Sequence, residues 1–338
     1  MLAALLRPIE RFRMLRDYPR ISVVIPSYRR RSHLLKVLDQ LVPQTYQPHE
    51  VFVVDASPLI EQLSNTQAVG YPHWLFYLRY VGRGNASRQR NEALKRCTGD
   101  IVLFLDDDVV FGSDLIEQYV AAFRETGADA INGLVLIPGE KPSQAPKLLK
   151  PIAIQRSGGP NYQAYDGVLE THVVCSASLA VKRSALLEVD GFDEQLHGTR
   201  DDVDLGLRLV KKGFRVVHHH GPQLLHLMAK GNGSRSPEMG REWATANLFY
   251  FQFTHYWPRR RPLLLWRTVW DYCRPSRHWL TPPVIAKRYI GVFRAYREAV
   301  RRVSEGPLLG MLAQDQIVSF EKSGTTITRQ TTRVATHG

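Results

Sequence analysis

The chain has 338 residues, 44% of them hydrophobic, which suffices for a catalytic domain of roughly 200–250 residues with an appendage. Its net charge of +13 sits at the two ends: residues 1–31 carry eight Arg against Glu10 and Asp17, residues 259–302 carry twelve Lys or Arg against Asp271 and Glu298, and the middle is near neutral. Basic ends point to an anionic surface, phospholipid or nucleic acid; no apolar run reaches the ~18 residues of a membrane span, Arg7, Arg11 and Arg13 interrupt any signal peptide, and Cys97, Cys175 and Cys273 lack a CxxC pair and read as reduced cytosolic thiols.

Residues 1–19 place Leu2, Leu5, Leu6, Ile9, Phe12 and Leu15 at helical spacing with Arg between them, a basic amphipathic helix that either lies on a membrane or packs on the domain. Ile21–Pro26 reads as a first strand and Ser27–Arg31 as the loop beyond it. A helix through Leu34, Leu35, Leu38 and Leu41 precedes a second strand, Val51–Val54, ending at Asp55, so the opening is a right-handed βαβ unit. Trp74–Leu78 is a third strand, Gly82–Asn85 a turn, and Ala86–Arg96 a helix carrying Arg88, Arg90 and Asn91.

Ile101–Val110 (IVLFLDDDVV) follows. Its apolar half reads as a buried parallel strand, and it runs directly into Asp106, Asp107 and Asp108. Three adjacent carboxylates repel one another and would cost several kcal/mol if buried unpaired. The run is therefore either a solvated turn or a cation site, and hard oxygen ligands favour Mg2+ or Mn2+ over zinc. The carboxyl end of a strand in an open α/β sheet is where ligands bind.

A helix over Asp114–Arg124 and a strand over Ala130–Ile137 continue the alternation. Pro138–Asp166 has no period, and a loop of this length reads as a lid or acceptor-binding segment. Val173–Val181 returns to strand, Ser184–Val189 to a short helix, and residues 201–212 (DDVDLGLRLVKK) to a helix stopped by Gly213. Short strands at Phe214–Val217 and Gln223–Leu227 flank His218, His219 and His220. Residues 238–314 are aromatic, basic and helical, and residues 315–338 read as a flexible tail.

The stretches ISVVIPSYRR, VFVVDAS, GRGNASRQRNEALKRCTGDIVLFLDDDV, SLAVKRSALLEVDGFDE and DDVDLGLRLVKKGFRV, in this order across residues 21–227, resemble family 2 glycosyltransferases of the GT-A fold. The resemblance implies a Rossmann-like mixed central sheet flanked by helices over residues 20–237, with the C-terminal helical extension beyond. It implies inverting transfer of a sugar from a nucleotide-sugar donor, UDP-linked, to a glycan or lipid-linked acceptor in cell-envelope polysaccharide synthesis.

Residue by residue, Asp55 would accept from the base, since a carboxylate selects an imide N–H, with Pro26, Ser27 and Tyr28 lining the nucleoside pocket. Arg90, of the family's Arg-Asn pair, would pair with the nucleotide, or stand as a solvated helix arginine. Asp106 and Asp108 are the outer residues of the DxD motif: Asp108 would ligate Mn2+ or Mg2+ on the diphosphate, and Asp106 would contact the ribose or share the ion; Asp107 is the variable middle, which could equally point away. Asp202 matches the general base, Asp201 its usual Glu partner, and both also suit a helix N-cap. A helix N-terminus is expected to lower the pKa of Asp202. His226 matches a third metal ligand, with His218, His219 and His220 as rivals. Ala56 stands where a second aspartate is usual, and Cys175-Ser176-Ala177 where relatives are Gly-rich.

Between Asn247 and Arg302, aromatic residues interleaved with Arg suggest peripheral binding to the inner, cytoplasmic face of the cell membrane, or a helical cap on the domain. No nucleic-acid motif accompanies them, so no nucleic-acid partner is expected. A sugar nucleotidyltransferase would want a glycine-rich loop after the first strand, and Pro26-Ser27-Tyr28 has none. A non-catalytic membrane-surface protein on the same scaffold would not need the full set of acids.

Overall fold

The structure is a computed structural model. It describes residues 18–64, 70–80, 84–139, 141, 143–144, 165–196, 198–229, 241–256, 266, 268–270, 282–308, 317–322 and 325–327. The basic helix expected over residues 1–19 and most of the 138–166 loop therefore lie outside the described residues.

One mixed sheet frames the molecule. Strands β1 (Ile21–Ser27), β2 (Glu50–Asp55), β3 (Leu75–Tyr80) and β4 (Ile101–Leu105) run parallel in the order β3-β2-β1-β4. The short β5 (Val109–Phe111) follows, then β6 (Ala130–Leu136). A separate ladder joins β7 (Ser143–Gln144) to β8 (Tyr165–Asp166). Next come β9 (Val168–Glu170), β10 (Ser178–Lys182) and β11 (Val216–His226). Beyond β4 the sheet continues with β10 antiparallel to both β4 and β6, β11 parallel to β6, and β5 and β9 antiparallel to β11.

Helices α1 (Arg31–Leu41), α2 (Ala86–Leu94), α3 (Leu115–Thr126), α4 (Arg183–Glu188) and α5 (Asp201–Lys211) cover the two faces. Val23, Ile25, Leu103 and Leu105 pack with Leu34, Leu38, Tyr119 and Phe123 on one side. Val24, Phe52, Val54 and Phe104 meet Ala93, Leu94, Leu186, Leu205 and Leu209 on the other. Side chains alternate across a strand, so burial on both faces goes with the apolar runs Val23–Pro26, Val51–Val54 and Ile101–Leu105 within β1, β2 and β4. Helices α6 (Arg241–Tyr256) and α7 (Pro282–Glu305) form the C-terminal extension and share a third cluster through Phe249, Phe251, Val292, Ala295 and Ala299.

Ser27 pairs with Asp55, and Leu105 with Ser178. The carboxyl ends of β1, β2 and β4 thus come out on one side of the sheet, where Asp55 closes β2 and Tyr28 and Asp106 begin the loops after β1 and β4.

The expected α/β architecture, a mixed sheet between helices, is what forms. Four local readings change. The strand expected over Val173–Val181 is strand only from Ser178; before it the chain curls, because Asn132 Oδ1 accepts from Cys175 N at 2.7 Å and Cys175 O from Ser178 N at 3.0 Å. Phe214–Val217 and Gln223–Leu227 join as the single β11, with its register broken between His219 and Gln223. Strand β5 is only three residues long, too short to show a period in the sequence. Within the expected flexible tail, β12 (Ile317–Lys322) and β13 (Thr325–Ile327) form a hairpin whose first strand lies antiparallel to β3. The backbone edge of β3 overrides polar composition there.

Candidate functional site

The acidic run turns the chain from β4 into β5. Because β5 pairs antiparallel with β11, His226 lies opposite Val109, and Leu227 N donates to Asp108 O at 2.9 Å. His226 Nε2 is consequently 3.1 Å from Asp108 Oδ1 and 3.7 Å from Asp106 Oδ2. One ligand atom from each of Asp106, Asp108 and His226 lies within 4.8 Å of the others. Two carboxylates and an imidazole are a donor set that fits Mn2+ or Mg2+. The rival histidines are engaged elsewhere: Asn132 Nδ2 donates to His218 Nδ1 at 3.2 Å, His219 lies between Glu125 and the Gly221 amide, and His220 stacks on His219.

Arg30, one of several basic residues near the N-terminal end, closes the other side of the run. Its Nη1 is 2.9 Å from Asp108 Oδ2 and donates to Asp107 Oδ1 at 3.1 Å, and its Nη2 donates to Ala229 O at 2.9 Å. Nothing in the sequence separates Arg30 from its neighbours Arg29 and Arg31. Asp107 is turned back towards β1, where its Oδ2 accepts from Ser27 Oγ at 2.8 Å. Burial pushes Asp107 up to about 7 in spite of Arg30. Asp108 is buried too, yet the hydrogen bond and charge of His226, then Arg30 and the Ala229 amide, hold it down to about 2. Asp106 is the most open of the three, its side chain 27% exposed.

Arg90 joins this run to the acidic start of α5. It is a buried residue of α2, its Nη2 donating to Asp106 Oδ1 at 2.9 Å and its Nη1 to Asp201 Oδ2 at 3.0 Å, with Phe192 beneath the guanidinium. Buried paired arginine, rather than solvated arginine, is the outcome. Its Nε is buried without a hydrogen-bond partner among the described residues. Asn91 Nδ2 donates to Phe192 O at 2.9 Å and so fixes the loop under that ring.

Asp202, next along α5, accepts from Val203 N at 2.8 Å through Oδ1. The amides of Val203 and Ser176 pull its pKa down, as expected at a helix start, but burial and the neighbouring Asp201 outweigh them and raise it to about 7. The expected lowering is therefore reversed by desolvation. Neither aspartate is an N-cap; that position belongs to Arg200, which makes no side-chain cap.

Among the described residues, five carboxylates (Asp106, Asp107, Asp108, Asp201, Asp202) thus gather around the guanidiniums of Arg30, Arg90 and Arg200 and the imidazole of His226. The surplus of negative charge suits a cation, and a diphosphate would add to it.

Asp55 stands apart. It is 2% exposed; its Oδ1 accepts from Ser57 N at 2.8 Å and its Oδ2 from Tyr77 OH at 2.5 Å. Each oxygen keeps a second lone pair. Pro26 and Ser27 are buried at the end of β1, whereas Tyr28 is partly exposed, with Gly84 close enough that a Cβ there would meet its ring at 3.0 Å.

Three non-glycine residues held at positive φ border these groups: Arg29 (55°) after Tyr28, Arg200 (70°) before Asp201, and Met228 (51°) between His226 and Ala229. Such conformations persist where surrounding contacts over-determine them. The strain before Asp201 has a visible brace. Arg302 of α7, 1% exposed, donates to Asn247 Oδ1 at 2.7 Å and Gln195 O at 3.1 Å, and Asn247 Nδ2 donates to Thr199 Oγ1 at 3.0 Å.

Residues 19–245 match the family model described as Glycosyltransferase like family 2. Among curated relatives, the O-antigen biosynthesis protein RfbC of Myxococcus xanthus is 26% identical over 231 residues, 62% of this chain and 17% of that protein. The amylovoran biosynthesis glycosyltransferase AmsB of Erwinia amylovora is 25% identical over 224 residues, 63% of this chain and 71% of its own. The chain thus spans about a sixth of the length of the first and most of the second. A solved mannosyltransferase from Pyrobaculum calidifontis, in complex with GDP-Man and Mn2+, overlays 92% of this chain and 84% of its own at a TM-score of 0.48 and 17% identity.

Proposed function

The chain belongs to Glycosyltransferase like family 2, and on that premise we propose that it is an inverting transferase moving a hexosyl or deoxyhexosyl group from a nucleotide-sugar donor to an acceptor hydroxyl. The observation that carries this reading is Arg90, one buried cation bonded at once to Asp106 of the acidic run and Asp201 of the acidic helix start. It ties a station suited to a leaving diphosphate to a station suited to a base. Asp106, Asp108 and His226 would hold Mn2+ or Mg2+, which when bound supplies charge neutralisation on the leaving group.

The chain's own residues do the rest. Asp202 takes the proton of the acceptor hydroxyl while that oxygen forms the new bond to the anomeric carbon. The bond from that carbon to the phosphate oxygen breaks on the opposite face, and its electron pair leaves with the nucleoside diphosphate, so the anomer inverts. A carboxylate near 7 suits the work, because a base is most effective with its pKa near the operating pH. Pro26, Ser27, Tyr28 and Asp55 would receive the nucleoside, taken as uridine. The acceptor class, a glycan or lipid-linked saccharide of the cell envelope, draws its support from relatives named for O-antigen and amylovoran biosynthesis.

Asp202→Asn tests the assignment. Transfer from a panel of nucleotide sugars with Mn2+ should fall at least ~100-fold, the loss typical of a missing general base. Binding of the nucleoside diphosphate, read as a rise in melting temperature, should persist. Full transfer by the variant would remove Asp202 as the base.

A further inference from the structure

We propose that the outer face of α7 is a docking surface for an anionic phospholipid bilayer. The helix has two different sides. Val292, Ala295 and Ala299 point inward and close the third cluster against α6. Outward stand Tyr289 (57% exposed), Ile290 (51%) and Phe293 (61%), beside the exposed Arg294 and Arg297. Packing on the domain requires only the inner stripe, so large apolar side chains on the outer one call for another partner.

Charge says which. From Pro282 to Arg297 the helix carries Lys287, Arg288, Arg294 and Arg297 and no acidic residue. Arg301, one turn on, is bonded to Glu298 and Glu305, so the cationic excess belongs to the stretch that bears the exposed aromatics. Apolar and aromatic side chains between arginines match the boundary between acyl chains and anionic headgroups. Trp266 and Trp270, stacked at 5.7 Å between centroids and exposed, add a second aromatic pair on the extension, which Thr268 fastens to Gln252 of α6. A second copy of the chain is a poorer occupant, since a two-fold contact would set Arg294 and Arg297 against their own counterparts. Single-stranded nucleic acid would stack on the rings but leaves Ile290 without a role.

The test is co-sedimentation of the full chain with phosphatidylcholine vesicles, with and without phosphatidylglycerol. Wild type should sediment only with the anionic vesicles and be released by high salt. Each arginine near such a surface contributes about fivefold, so R294A/R297A should bind about 30-fold more weakly. I290S/F293S should lose binding comparably. All four positions are exposed, and circular dichroism and melting temperature should stay at the wild-type values. The proposal is overturned if both variants sediment like wild type, or if phosphatidylcholine alone retains the chain equally. It is also overturned if the variants lose a single-stranded oligonucleotide or a self-associated dimer while keeping the vesicles.

Discussion

Two side chains, Asp202 in its proposed role as base and Arg30 between two carboxylates, set the behaviour of the site at the scale of single residues. Asp202 is raised to about 7 by burial and by Asp201, so it is protonated, and useless as a base, below that pH. With Asp202 as base, kcat/KM should fall about tenfold per pH unit below about 7 and level off above it; a profile flat down to pH 5 would tell against the assignment. Arg30 is the cation shared by Asp107 and Asp108. Replacing it with alanine leaves charge-assisted hydrogen bonds unmade, a cost of about 2 kcal/mol. The expected result is a lower melting temperature without metal, and a larger rise on adding Mn2+ than wild type shows, because a bound cation would take over the neutralisation. Equal rises in both proteins would mean that Arg30 and the cation site are independent.

At the level of elements, the site depends on where two pieces of backbone pass. Strand β5, three residues long, makes the antiparallel contact with β11 that brings His226 to Asp108. Helix α5 carries Asp201 and Asp202 and is seated close against residue 172: a Cβ on Gly206 would lie 2.5 Å from His172 O, a backbone atom that cannot swing aside. Gly206→Ala should therefore cost about 1–3 kcal/mol. Chemical denaturation would show this as a lower midpoint at unchanged slope. It should also lower transfer activity, since the shift displaces the acids of the first turn. A midpoint equal to that of wild type would show that α5 is not held by this contact.

For the whole molecule, the extension and the last strands complete what the sheet begins. Helices α6 and α7 brace the segment before Asp201 through Asn247 and Arg302, and β12 covers the edge of β3. Ending the chain after Leu308 removes that cover and leaves an open edge, so the melting temperature should drop by about 5 °C, with aggregation rising with concentration. Unchanged thermal and light-scattering traces would assign β12 and β13 no stabilising role. The order of strands and helices, the burial of β1, β2 and β4, and the stretches carrying Asp106, Asp108, Asp201 and Asp202 were legible in the sequence, because apolar runs and acidic steps are local patterns. Arg30, the inward turn of Asp107, the placement of His226 rather than His218–His220 beside Asp108 and the raised pKa of Asp202 were not. Each of these depends on residues far apart in the chain, on a three-residue strand too short to have a period, or on burial, and only the tertiary structure decides which charges lose their water and which partners replace it.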